Sequence, residues 1–366
     1  MIRIVMGIPY SGKSHFIKNH FPNSRKIDLY DYQANCFTTE QIWDSYVKTK
    51  DEIINAINNN EDFVVEHTLL KAIRRQYYIE EIRKVTNEPI EIYCLICDKE
   101  TYLEHSELRG SKSSEYMYKI QTETFEIPTK EEGFENVYII NKNTVRPYEV
   151  HEKLEKQTDI SKWAQYADKE KNMLGVKIPI LRKISKELLK KDYNFYLSCI
   201  EKYYEEKLIK TFIVAYRKHN TFEELKKDIE YWLPNITTWD LCDSFCQTLK
   251  DAKKFKKELF PLLQKYAKSD KEFEIRFAVV MYLSYFLEDE YAELIFETLD
   301  NTKQNDFYAK MGIAWCVATS FAFLPEKTKK WFDNCKLSNW TYNKSIQKTK
   351  ESFRVADEIK NSLKKR

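Results

Sequence analysis

The chain has 366 residues, more than one compact core usually holds, so two domains are expected. Hydrophobic residues make up 43% and charged residues 32%, and no apolar run approaches the roughly 18 residues of a membrane span, which excludes membrane-spanning functions. Net charge is +3, but residues 1–150 hold 19 Lys and Arg against 24 Asp and Glu, whereas residues 151–366 hold 41 against 33, so the second half is the one suited to a polyanion, although solvated lysine-rich helices give the same balance.

In chain order, short apolar runs at Ile2–Met6, Lys26–Leu29, Phe63–Glu66, Ile90–Cys97 and 136–140 alternate with amphipathic stretches such as Ile73–Val85. This β-α alternation predicts a three-layer α/β domain with a parallel sheet, spanning residues 1–148. The N-terminal run leads straight into a glycine motif and leaves no room for a signal peptide, so a cytoplasmic address and reduced cysteines are expected. Cys94 and Cys97 form a C-x-x-C inside an apolar run with no matching ligand pair, which predicts packing rather than metal or redox chemistry; Cys242 and Cys246 are expected to pack as well. Asn141–Pro147 is polar and carries a proline, which places a boundary near residue 150. After about residue 158 only helical periodicity remains, with breaks near Asn220, Pro234, Asp270, Asn301 and Pro325. Successive helices of similar length predict an all-α, HEAT-like superhelix over residues 155–366.

Gly7-Ile8-Pro9-Tyr10-Ser11-Gly12-Lys13-Ser14 fits G-x-x-x-x-G-K-[ST] between a predicted strand and a predicted helix beginning at Lys13. Only 6 residues of the whole chain are glycine, and two of them, Gly7 and Gly12, stand in this motif. Glycines let backbone N–H groups converge on phosphate oxygens, the helix N-terminus adds positive potential, Lys13 reaches the outer phosphates and Ser14 supplies a Mg²⁺ ligand. ATP with Mg²⁺ is the expected cofactor. The alternative is a glycine turn with an exposed lysine.

Together with Phe63–Leu69, Arg74-Arg75 and Phe125–Phe134, this loop makes residues 1 to about 145 resemble the polynucleotide-kinase-like P-loop kinases. The resemblance implies a carboxylate base after the second strand and lid arginines. Here Tyr30 stands at the base position, leaving Asp28 or Asp31 as substitutes; Glu66 closes the third strand, Arg109 survives in the lid, and 121–124 read Gln-Thr-Glu-Thr where arginines are usual. These departures weaken the case for phosphoryl transfer and leave nucleotide binding intact.

In the helical half, Trp239 and Asp243 are four apart and share a helix face, so an indole and a carboxylate can meet one ligand. Equally, the Trp can fill a core and the Asp lie in solvent, with Thr237 or Thr238 as helix cap. The segments 172–179, 238–244, 273–278 and 310–315 make residues from about 158 to 360 resemble the AlkD-like DNA alkylation repair proteins, in the family's order. The resemblance implies that Trp239, Asp243 and Trp315 are catalytic, that Arg276 contacts the DNA backbone, and that double-stranded DNA carrying N3- or N7-alkylated purines is the substrate, its base excised without metal and without being turned into a pocket. Arg276 also admits an ordinary surface salt bridge. Ala318 stands where some members have an arginine, so part of a backbone grip is absent. The expectation is a DNA glycosylase joined to an ATP-binding, kinase-like domain. The alternative is a non-catalytic nucleic-acid scaffold that delivers a polynucleotide kinase or ATPase.

Overall fold

The structure, a computed structural model, describes residues 1–34, 36–111, 113–158 and 172–366; the start of the predicted helical domain, 159–171, lies outside the described residues. The chain divides into two compact units, one of residues 1–156 with 191–200 and one of 157–190 with 201–366.

The first unit runs β1 (Ile2–Met6), α1 (Lys13–His20), β2 (Arg25–Asp28), α2 (Leu29–Gln33), α3 (Thr39–Asn58), β3 (Phe63–His67), α4 (Ala72–Arg83), β4 (Ile90–Leu95), α5 (Lys99–Leu108), α6 (Glu115–Glu123), β5 (Asn136–Ile140) and α7 (Pro147–Glu155). Its sheet is wholly parallel in the order β2-β3-β1-β4-β5, as the β-α alternation requires. Every residue of β3 and β4 is buried, because helices cover both faces of the central strands. Val5 and Ile4 face opposite layers, Ile4 with Ile53, Val65, Tyr78 and Ile92, Val5 with Phe16, Ile17, Val64 and Ile140.

The stretch expected to separate the halves leads instead into α7, whose Pro147, Val150 and Leu154 are buried and whose Tyr148 meets His15 edge-on at 5.6 Å. Residues 191–200 also fold with this unit: Val145 N–H donates to Asp192 O at 2.7 Å, and Phe195, on the short helix α9 (Asn194–Ser198), packs among Phe16, Tyr93 and Tyr138. Cys94 and Cys97 are buried thiols, pushed up by burial to about 12 and about 11.

Arg75 is wholly buried and holds the segment that returns to the sheet. It donates from Nε and Nη2 to the two oxygens of Glu132 at 2.6 and 2.8 Å and from Nη1 to the carbonyls of Leu69 and Glu126, both at 2.9 Å. Removing the carboxylate strands a buried guanidinium at a cost of about 3 kcal/mol. Glu132→Gln is therefore expected to speed amide exchange in residues 126–134 by roughly a hundredfold, read by mass spectrometry; unchanged protection there would rule out this pair as the anchor.

The second unit contains α8 (Ile178–Leu188), α10 (Tyr204–Tyr216), α11 (Phe222–Trp232), α12 (Trp239–Thr248), α13 (Lys256–Ala267), α14 (Glu272–Tyr285), α15 (Ala292–Asn301), α16 (Phe307–Phe323), α17 (Pro325–Phe332), α18 (Asn339–Glu351) and α19 (Asp357–Ser362). Two rows result. One packs α8, α10, α12, α14, α16 and α18 in succession, and the other packs α11, α13, α15 and α17. Helices of the first row are covered on several sides, so α14 and α16 are apolar around most of their circumference rather than along one stripe. Asn172–Pro179 is anchored by Glu205 of α10, whose Oε1 accepts from the N–H groups of Leu174, Gly175 and Val176 at 2.9, 2.6 and 3.3 Å, with Gly175 at φ 76° where a side chain is disfavoured.

Candidate functional site

The first turn of α12 is fixed before its catalytic candidates are reached. Tyr204 Oη lies 2.6 Å from Thr238 Oγ1 and donates to Asp240 Oδ1 at 2.7 Å, and Thr238 Oγ1 donates to the same oxygen at 2.6 Å. This three-member network sets where α12 begins and hence which face carries Trp239 and Asp243.

On that face Asp243 meets Arg276 of α14. Nε donates to Oδ1 at 3.0 Å and Nη2 to Oδ2 at 2.9 Å, a bidentate pair, while Nη1 donates to Tyr308 O at 2.8 Å. The side chains of Asp243 and Arg276 are only 13% and 6% exposed. Burial holds the Asp243 carboxyl above the usual range, and the guanidinium opposes that rise. Gly312 of α16 lies against the arginine: a Cβ there would meet Arg276 Cγ at 3.4 Å, an ordinary van der Waals contact. Three of the Arg276 donor nitrogens thus face a carboxylate and a carbonyl, and the salt bridge it forms is largely buried rather than on the surface.

Trp239, Asp243, Arg276 and Trp315 line one cavity of about 800 Å³, so the structure brings together all four residues singled out in this half. Trp239 is 38% exposed and Trp315 half-buried, which leaves indole surface available to a ligand. Ala318 lines the same cavity, and the cations at its edge come from α18 and the turn after it, Lys348 and Arg354. Sequence periodicity had no means of finding Lys348, Phe353 or Arg354, because nothing local ties α18 to α12.

In the first unit the glycine loop leaves the C-terminal end of β1, between β3 and β4. A Cβ on Gly7 would lie 2.4 Å from Leu95 O and 2.7 Å from Ser11 Oγ, and Gly12 at φ 91° caps α1, so both positions require glycine on backbone grounds. Lys13 Nζ donates to Gly7 O at 3.1 Å and Ile8 O at 3.0 Å. Burial lowers Lys13 to about 8, with Glu66 and Asp28 opposing that and Arg109 adding to it.

Ser14 Oγ donates to Glu66 Oε1 at 2.7 Å, and Lys26 Nζ bridges Glu66 Oε2 at 3.4 Å and Asp28 Oδ2 at 2.7 Å. Asp28 also caps α2 through Tyr30 N at 3.0 Å. Of the two substitute bases, Asp28 joins this cluster, while Asp31 is exposed on the first turn of α2 and Tyr30 is 68% exposed. Arg109 ends α5 and lines a cavity of about 530 Å³ beside Tyr10, Ser11 and Gly12. Among the described residues no group of three or more His, Cys, Asp or Glu is arranged to hold a metal ion by itself, and no helix is long and apolar enough to cross a membrane.

No curated protein matches the chain. Among solved structures, an unliganded sugar kinase from Janibacter sp. HTCC2649 matches at 14% identity and a TM-score of 0.30, over 42% of this chain and 92% of that one, a likeness too low to characterise either unit. The family model described as DNA alkylation repair enzyme matches residues 150–348, which include Trp239, Asp243, Arg276 and Trp315. This chain, through more than half of its length, belongs to the DNA alkylation repair enzyme family.

Proposed function

We propose that the second unit is a DNA glycosylase for purines alkylated at N3 or N7, and that the first unit binds ATP with Mg²⁺. The observation that carries the first part is the placement of Asp243, paired with Arg276, on the wall of a cavity shared with two tryptophans.

Alkylation at N3 or N7 makes the purine cationic. When the C1′–N bond breaks, its electron pair neutralises the leaving base and positive character passes to the deoxyribose. A carboxylate in a partly desolvated cavity and the faces of Trp239 and Trp315 stabilise that charge. Water then adds at C1′ and gives up its proton, leaving an abasic site. The test is a lesion series in one duplex context. Cationic N7-methylguanine and N3-methyladenine are expected to be released, and a neutral lesion such as uracil to stay; release of uracil at a similar rate would sink the charge argument.

For the first unit, the support is the loop geometry around Gly7 and Gly12 and the Lys13, Ser14, Glu66 and Asp28 cluster. Lys13 and the loop N–H groups would hold phosphate oxygens, and Ser14 with Glu66 would hold the ion that accompanies them. Phosphate beside Lys13 restores its ordinary pKa, so ATP binding takes up a proton wherever the free protein has lost one. Because Lys13 starts at about 8, affinity is expected to be flat below pH 8 and to weaken by up to roughly tenfold per pH unit above it. Titration calorimetry in two buffers of different ionisation enthalpy reads this directly, and no proton uptake at pH 9 would contradict it.

A further inference from the structure

The turn between α18 and α19 presents Phe353 fully exposed, 104% of its reference area, at the mouth of the cavity that holds Asp243. A lone exposed aromatic needs no explanation. This one is held in place from both sides. Ser352 ends α18 and its Oγ accepts from Arg354 N at 3.3 Å, and Val355, two residues beyond the ring, is buried at 4%. The turn thus presents an apolar ring and an arginine together at the edge of the cavity.

We propose that Phe353 is a wedge that enters the base stack of duplex DNA at the damaged step, with Arg354 on the adjoining phosphate; this rests on the excision reading of the same cavity. An apolar side chain inserted between base steps loosens stacking and kinks the duplex, and an adjacent cation compensates the phosphate charge drawn close by the bend. A wedge of this kind opens the stack from one side and does not draw the base into a closed pocket, which fits a cavity open to solvent. It assigns to this turn the recognition of weakened stacking beside an alkylated purine.

The probe is a duplex with 2-aminopurine next to a single N7-methylguanine, bound by the full chain carrying Asp243→Asn so that binding is read without excision. Fluorescence is expected to rise with Phe353 in place, to be retained with Phe353→Trp, and to be lost with Phe353→Ala. With Asp243 intact, Phe353→Ala is expected to slow release on the order of tenfold from a matched duplex and much less where the lesion faces an abasic site, since that step is already unstacked. An unchanged fluorescence response in Phe353→Ala, or equal slowing on both duplexes, overturns the wedge. A Phe353-dependent rise in a protein that releases no base would overturn excision and uphold the wedge.

Discussion

Asp243→Asn is expected to slow release of N7-methylguanine by roughly 10²–10³-fold, the size of effect seen when one preorganised electrostatic group is removed from a reacting centre. Asn keeps the shape and one acceptor for Arg276 but breaks a buried ion pair at a cost of about 3 kcal/mol, so the rate is read on variant protein shown to be folded, for which DNA affinity is expected to change little while single-turnover release collapses. Loss of affinity in step with the rate would mean that Asp243 supports the fold of the surface and not the chemistry. The geometry argues otherwise, since the carboxylate is 13% exposed and faces a cavity and not the core.

The second large effect is expected at Arg276. Burial alone would push the Asp243 carboxyl up, and the bidentate guanidinium is what opposes it. On the proposed excision chemistry the ionised carboxylate is the active form, so activity is expected to fall as pH falls through its pKa. Arg276→Met removes the opposing cation, so that pKa rises further and the acid limb of the pH–rate profile moves to higher pH. The deficit is expected to be largest at the acid end of the profile and to shrink as pH rises. A backbone-gripping arginine would behave differently: binding would weaken, the salt dependence would lose about one counterion and the pH limb would stay in place. Arg276→Lys restores charge without the fork and is expected to recover the limb only in part.

The parallel sheet and the change to an all-helical half were legible in the sequence because alternation and helical periodicity follow directly from burial. The details that failed were those set by helix capping at strand ends and by contacts distant in sequence. Leu29 reads as strand, yet Asp28 caps the next helix and β2 stops one residue earlier. Ile96 and Cys97 read as strand because they are apolar, but Cys97 packs in a small cluster with Ile8 and Tyr102 beyond the end of β4. Phe195, Tyr196 and Leu197 carry no mark of which core they belong to, and their segment folds with the first unit.

The same limit governs the site. Trp239 and Asp243 were visible as an i, i+4 pair, and Lys13 and Ser14 as a motif. The pairing of Asp243 with Arg276, 33 residues on, depends on α12 packing against α14, and no local pattern encodes it. A basic residue on a helix of a repair-like domain suggests phosphate, and only the packing shows its pairing with Asp243.

The most direct measurement is single-turnover incubation of the full chain, in excess, with a duplex carrying one N7-methylguanine, following free base and intact strand by mass spectrometry. The expected result is free base and an alkali-labile abasic strand from wild type, with release almost abolished in Asp243→Asn. Tight binding of the alkylated duplex with no base released would contradict it, and would leave the family membership standing on a protein that holds DNA without cutting the glycosidic bond.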